Sequence, residues 1–395
     1  MKTVYIVYLG LTTLLEGNIR NTTSAEAEAA AVAADSSRNY GSELAKAFYE
    51  PDPMLEKSVE TIYINMNPEQ RAAQMIMVAS TSSGSDKRKA LNLVEEEVAG
   101  GVLLLKGSKK DFEKQVEEFR KLTRKDNLPP LFSCDCEPSL LRNKWSGSRS
   151  VLPASEHSND SIAAAQARIV TKEMREVGAA LNFAPVVDNA TNQSIINNRS
   201  YGADNEVIIS RSTAFIQATQ QDGIAATVKH FPGHGAVKGD SHKATVYING
   251  PFTELDNFRQ VIQEAAPLVV MVGHITVRGN NPWATGDLPA SISRKLVTGL
   301  LREELGFEGI VTTDAMNMKA VSRYKNADWK AVEAGVDLIV MPEAPRQLHN
   351  QIVEGLMRGD AMSRQLEQSI KRIIRLKLLT GNNLPDRVEL AEAED

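Results

Sequence analysis

Sixteen residues, Thr227-Val-Lys-His-Phe-Pro-Gly-His-Gly-Ala-Val-Lys-Gly-Asp-Ser-His242, hold three histidines, two lysines and an aspartate, the densest run of reactive side chains in the chain. Within it Asp240 stands two residues from His242. A carboxylate so placed can hold an imidazole in one tautomer and raise its basicity, giving a group that donates a proton and later takes one back. A second reactive group lies downstream. Asp314, in Thr312-Thr-Asp-Ala-Met-Asn317, follows an apolar run with no cationic neighbour beside it in the sequence, so it can serve as a carboxylate nucleophile. A carboxylate nucleophile points to glycosyl transfer, where the usual partner is a second carboxyl acting as general acid. Here the Asp240-His242 dyad stands in that place.

The elements that must position these groups read as a regular alternation. Short apolar runs at 74–79, 101–105, 130–134, 180–187, 224–229, 268–273, 309–313 and 336–341 predict eight strands. Helical spacing at 56–72, 87–97, 111–124, 161–177, 206–221, 254–265, 294–305 and 329–334 places helices before and between them, and two more follow at 346–358 and 362–379. Continuous apolar strands separated by helices imply parallel pairing with both faces covered, and right-handed crossovers close such a set into a single TIM-type (β/α)8 barrel. The competing open doubly wound sheet normally carries a Gly-rich dinucleotide turn after an early strand; Ala79-Ser-Thr-Ser-Ser-Gly84 is not one.

In such a barrel the active site lies at the carboxyl ends of the strands. Asp135, Asp188, Lys229 with His230, His274 and Asp314 stand at the ends of runs three to seven, so one mouth would collect them. A rival use remains open, because His230, His234, His242, His274, Asp240 and Asp314 are also metal-ligand types. Metal-dependent barrel hydrolases more often begin with His-x-His after the first strand, which is missing here, and Pro232, Gly233 and Gly235 oppose a helix that would align His230 with His234. His234 is expected to brace the loop.

The 395 residues, 42% hydrophobic and 24% charged with net charge −5, suit a globular chain with a sizeable core and give no basic footprint for nucleic acid. Cys134 and Cys136 are expected to be free thiols, since a bridge between them would distort a strand. The organisation expected is a possible signal segment and flexible lead-in over 1–53, the barrel over 54–382 with no second catalytic domain, and an acidic tail over 383–395. Lys2 followed by an apolar run to Leu15 suits an export signal and is too short to span a membrane, while Leu15-Glu-Gly-Asn18 has Asn where a lipoprotein signal needs Cys. A periplasmic or secreted location is therefore expected, with a cytoplasmic one as the alternative.

Lys229-His-Phe-Pro-Gly-His-Gly235, Asp240-Ser-His242 and Ile310-Val-Thr-Thr-Asp-Ala-Met316 together resemble the glycoside hydrolase family 3 β-N-acetylhexosaminidases. The likeness runs from about residue 58 to 380 and takes in Leu181-Asn-Phe-Ala-Pro-Val-Val-Asp188, Asn198-Arg-Ser-Tyr-Gly202 and Leu300-Leu-Arg-Glu-Glu-Leu-Gly-Phe307. It implies Asp314 as nucleophile of a retaining mechanism, His242 as general acid/base supported by Asp240, and Asp135, Arg199, Lys229 and His230 as ligands of the sugar hydroxyls and N-acetyl group. His274 would lie close to the same subsite, and no metal or organic cofactor is implied. Glucosidase relatives recruit a carboxyl from a following domain, for which this chain is expected to be too short. The family commonly reads Asp-Gln-Glu-Gly-Gly with an arginine eight residues after the aspartate; here Asp135-Cys-Glu-Pro-Ser puts Arg142 one residue out of register as the expected substitute. The resemblance thus implies a carbohydrate substrate and an exo-β-N-acetylglucosaminidase acting on peptidoglycan- or chitin-derived sugars. The alternatives are a β-N-acetylglucosaminide phosphorylase and a non-catalytic amino-sugar-binding barrel.

Overall fold

The computed structural model describes residues 40–124, 126–192, 195–235, 237, 239–241 and 243–380. The signal-like segment, most of the lead-in, the acidic tail and His242 lie outside the described residues. No described helix is long and apolar enough to cross a membrane.

Eight strands line up as anticipated: β1 Ile76–Thr81, β2 Gly101–Ser108, β3 Leu131–Cys134, β4 Leu181–Asn182, β5 Ala225–Phe231, β6 Val269–Val272, β7 Ile310–Thr313 and β8 Ile339–Val340. Every neighbouring pair is parallel, in the order β7-β6-β5-β4-β3-β2-β1-β8. A parallel bridge from Thr312 to Leu338 joins the two ends of that order and brings the sheet round into a barrel. The interior is filled by side chains from alternate strands, as where Ser133 Oγ of β3 donates to Met77 Sδ of β1 at 2.9 Å, past the intervening β2.

The outer helices start and stop where short-range chemistry tells them to. Asn159 caps Asp160–Val177 by accepting from the Ile162 N–H, and Gly178 ends that helix with φ 89°, a left-handed conformation that costs glycine nothing. The single helix expected at 56–72 is two, Pro53–Asn65 and Pro68–Gln74. Pro68 cannot continue a helix from the preceding turn, and Asn67 forms a reciprocal capping box with Gln70 instead. That second helix runs through Gln74, which is why β1 begins two residues later than the apolar run suggested.

Two expectations fail. The folded body begins before residue 54: Glu43–Tyr49 is a helix, and Tyr40, Leu44 and Phe48, spaced to share one face, are buried in the core. The polar composition around them hid that stripe. Cys134 and Cys136 form a disulfide with Cα atoms 5.3 Å apart. A bridge would distort a strand running through both residues, but β3 ends at Cys134 and leaves the following backbone to turn.

The amino ends of the strands are tied to the last helix, Ala361–Thr380. Asp337, fully buried just before β8, accepts from the Val311 N–H at 2.8 Å, from Ser369 Oγ at 2.6 Å and from Arg372 at 3.2 Å, and it also pairs with Arg302. Nearby, the buried Lys377 ammonium donates to Gln74 Oε1 at 2.5 Å and the Gly100 carbonyl at 2.8 Å. Burial pushes its pKa down to about 7. Between that value and the unfolded one near 10.4 the unfolded chain holds a proton that the folded chain lacks, so this group makes stability rise with pH. In urea titrations from pH 7 to 10, the Lys377→Met variant should lack a rise of about 1.4 kcal/mol per pH unit that the native chain shows.

Candidate active site

In a regular strand Lys229 and His230 would point to opposite faces. They do not sit in one. The register of β5 against β6 runs Thr227 to Val269 and Val228 to Val270, then resumes at Phe231 to Val272, so Lys229 and His230 together oppose a single residue in a bulge. A bulge at the rim of a barrel re-aims side chains, and here it allows two consecutive residues to serve the same end of the structure.

Lys229 is almost fully buried, and its ammonium lies 3.0 Å from Asp135 Oδ1 and 2.5 Å from Glu137 Oε1. Arg199 grips the same Glu137 with two parallel bonds of 2.8 Å. Lys144 adds a third cation 3.5 Å from Asp135 Oδ2. Burial alone would raise both carboxyls, but Arg199 and Lys229 hold Glu137 well below the ordinary range, and Lys229 and Lys144 hold Asp135 below it. Burial would likewise depress Lys229, and the two carboxylates carry it above the usual lysine range instead. The result is a fixed array of ionised donors and acceptors, with the half-buried Asp135 as its outermost carboxylate.

Glu137, a member of this cluster, is not among the residues singled out in the sequence, although its spacing from Asp135 is a usable signal, since residues two apart in extended chain share a face. Arg142 is placed outside this cluster. On the one-turn helix Leu141–Lys144, Leu141 is buried and Arg142 is exposed; Lys144, three residues on from Leu141, returns to the inner face and is the cation that meets Asp135.

A second buried network sits under the histidines. The Asp188 carboxylate accepts from the backbone N–H of His230 at 3.1 Å, from His230 Nδ1 at 2.6 Å and from the His234 N–H at 2.8 Å. Burial pushes its pKa up, and His230 more than reverses that. His230 is thereby held through Nδ1, so only its Nε2 can face a ligand. Gly233 turns the chain with φ 124°. Gly235 follows where a Cβ would lie 2.0 Å from the Asn189 carbonyl oxygen, so no side chain fits.

Asp314 directly follows β7 and is half-buried; its N–H donates to the Val272 carbonyl at 3.1 Å and its Oδ1 accepts from the Ala315 N–H at 2.7 Å. His274, expected beside the sugar, is fully buried and bonds to the residue that follows Asp314. Its Nε2 donates to the Ala315 carbonyl at 3.0 Å, so Nδ1 is the bare nitrogen and accepts from Ser291 Oγ at 2.7 Å. Both nitrogens are thus engaged, which removes His274 from any joint metal-ligand set. Asp240 is half-buried with Lys243 Nζ 3.3 Å away. The structure therefore gathers Asp135, Arg199 and Lys229 in one ion cluster, holds His230 on Asp188, sets Asp314 at the same end of the barrel, and leaves Arg142 outside.

Comparison with known proteins finds that residues 68–376 match the family model described as the glycosyl hydrolase family 3 N terminal domain. The chain is 29% identical over 286 residues to beta-hexosaminidase A of Pseudoalteromonas piscicida, covering 64% of this chain and 48% of that protein. It is 32% identical over 225 residues to beta-hexosaminidase LpqI of Mycobacterium tuberculosis, covering 52% and 56%. Among solved structures, the glycoside hydrolase family 3 beta-N-acetylglucosaminidase of Paenibacillus sp. str. FPU-7 superposes with a TM-score of 0.72 at 29% identity, covering 80% of this chain and 63% of that one. The chain spans about half the length of the two sequence relatives, 48% and 56%.

Removing the carboxylate that Arg199 and Lys229 share leaves buried positive charge undercompensated. Glu137→Ala should lower the unfolding free energy in urea by about 3–5 kcal/mol, whereas Arg142→Ala, at an exposed position, should change it by less than about 0.5 kcal/mol.

Proposed function

From the premise that this chain belongs to glycosyl hydrolase family 3, we propose that it carries the catalytic barrel of a retaining exo-acting β-N-acetylglucosaminidase. The observation that carries the reading is the joint setting of the half-buried Asp314 carboxylate and a fully ionised Asp135-Glu137-Arg199-Lys229 cluster at the carboxyl ends of the strands. The names of the relatives, hexosaminidases and a β-N-acetylglucosaminidase, support the same class.

In this mechanism an Asp314 carboxylate oxygen attacks the anomeric carbon as His242 gives its proton to the glycosidic oxygen, and the aglycone leaves as an alcohol. His242 then takes a proton from water, whose oxygen attacks the same carbon and releases Asp314, so two inversions retain the configuration. Asp240 orients the imidazole and stabilises its charged form. Asp135 and His230 Nε2, the ring nitrogen left as acceptor by the Nδ1–H bond to Asp188, accept hydrogen bonds from sugar hydroxyls, while Lys229 and Arg199 donate to hydroxyls and the N-acetyl carbonyl. His274 acts through the Ala315 carbonyl, steadying the turn that carries Asp314. The substrates proposed are terminal N-acetylglucosaminides derived from peptidoglycan or chitin. Export to the periplasm or medium is part of the proposal and rests on Lys2 and the apolar run behind it.

Asp314→Ala should reduce turnover of an aryl β-N-acetylglucosaminide to background with the circular dichroism spectrum unchanged; residual turnover near the native level would sink the assignment. A 2-fluoro sugar with a good leaving group should label Asp314, read by peptide mass spectrometry. Because a histidine acid brings no negative charge to the step in which the acceptor attacks, phosphate can compete with water. Product sugar phosphate formed in phosphate buffer would move the reading to a phosphorylase, and binding without any turnover would move it to a sugar-binding barrel.

A further inference from the structure

Ser241 stands between the two members of the acid/base pair, so whatever holds Ser241 sets where Asp240 and the residue after it can go. Its side chain is buried, with Oγ 2.8 Å from His234 Nε2. His234 is equally buried and belongs to the other limb of the same loop, fixed from below by the bond from its N–H to Asp188 and packed edge-on to the His230 ring at 5.8 Å. One side-chain bond therefore joins the two limbs.

A second, independent tie crosses at the same level. Asn192, in the connection after β4, directs its amide nitrogen at the His234 carbonyl, 3.3 Å away, and at the Gly239 carbonyl, 3.2 Å away. Two carbonyls can only accept, which fixes the orientation of that amide. The same nitrogen lies 3.4 Å from His234 Nδ1. Facing a donor, Nδ1 is the bare nitrogen, so Nε2 carries the proton and donates to Ser241 Oγ. Burial pushes the His234 pKa down to about 4, so this neutral tautomer persists at neutral pH. Thr191 Oγ1 adds a bond of 2.6 Å to the Gly235 carbonyl, and Glu254 accepts from the Gly235 N–H at 3.1 Å.

We propose that His234 and Ser241 are positioning residues for proton transfer: their mutual hydrogen bond, backed by the Asn192 staple, anchors the backbone at Gly239 and Ser241 and thereby steadies Asp240, the carboxylate of the acid/base pair. The inference rests on the reading of Asp240 and His242 as the acid/base pair. It gives the bracing expected of His234 a partner, Ser241, and a purpose in catalysis. Neither residue touches substrate in this scheme.

The consequence is selective. A leaving group that departs without protonation is little affected by a misplaced acid, while a poor leaving group suffers the full loss. Ser241→Ala should lower kcat/KM for phenyl β-N-acetylglucosaminide about 10- to 100-fold more than for the 2,4-dinitrophenyl glycoside, within the range that general acid catalysis contributes. Ser241→Thr, which keeps a hydroxyl, should recover most of the difference, and azide should accelerate the alanine variant with the dinitrophenyl substrate. Equal losses on both substrates, or none on either, would overturn the proposal. Hydrogen–deuterium exchange over residues 239–243 reads the anchor without turnover: faster exchange in Ser241→Ala supports it, and unchanged exchange overturns it. If the native chain hydrolyses neither glycoside, the enzymatic reading fails, and the exchange result still decides whether the anchor exists.

Discussion

Two cations share one carboxylate in the interior of this barrel, and much of the site follows from how that charge is shared. Glu137 is buried, and an isolated carboxylate there would be driven to take up a proton. Arg199 approaches in a planar two-bond grip, and Lys229 completes the compensation at 2.5 Å. Because each charge is satisfied by the others, the positions of all three are interdependent. Asp135, bonded to the same Lys229, is left half-exposed as the member of the cluster with room to meet a ligand.

That cluster depends in turn on a local irregularity. Lys229 reaches Glu137 and Asp135 while His230 reaches Asp188, and a regular β5 would send the two side chains to opposite faces. The bulge resolves the conflict, and the Asp188 carboxylate secures it by binding both the backbone and the ring of His230. The same carboxylate anchors the start of the histidine loop through the His234 N–H. Glycine at 235 is then a packing requirement, since the Asn189 backbone occupies the space a side chain would need.

The two ends of the barrel use buried charge differently. Around Asp337, at the amino ends, every carboxylate oxygen is taken by Arg302, Arg372, Ser369 or a backbone N–H, an arrangement that only holds elements together. At the carboxyl ends Asp135 and Asp314 keep partial exposure. A fold whose strands all point the same way delivers this division without further instruction, because strand ends and helix-bearing loops alternate in a fixed sense.

The eight strands and the rim residues that end them were legible in the sequence because apolar run length and strand-ending polar residues are local signals. The sequence by itself determined the barrel, the Asp240-His242 spacing, the candidacy of Asp314 and the family likeness. What it could not express is any contact between residues distant in the chain. Glu137 looked like one acidic residue among many until Arg199, 62 residues away, and Lys229 closed on it. Lys144 rather than Arg142 meets Asp135 because a single helical turn chose which cation faces inward. The Cys134–Cys136 bridge depended on where β3 stops, and the burial of Tyr40, Leu44 and Phe48 on the body they pack against. His234 required both limbs of its loop, Ser241 on one side and Asn192 across the gap, before its ring had a direction. Tertiary structure decided these points because partner choice, protonation and burial belong to pairs of residues, and the chain order states only the members.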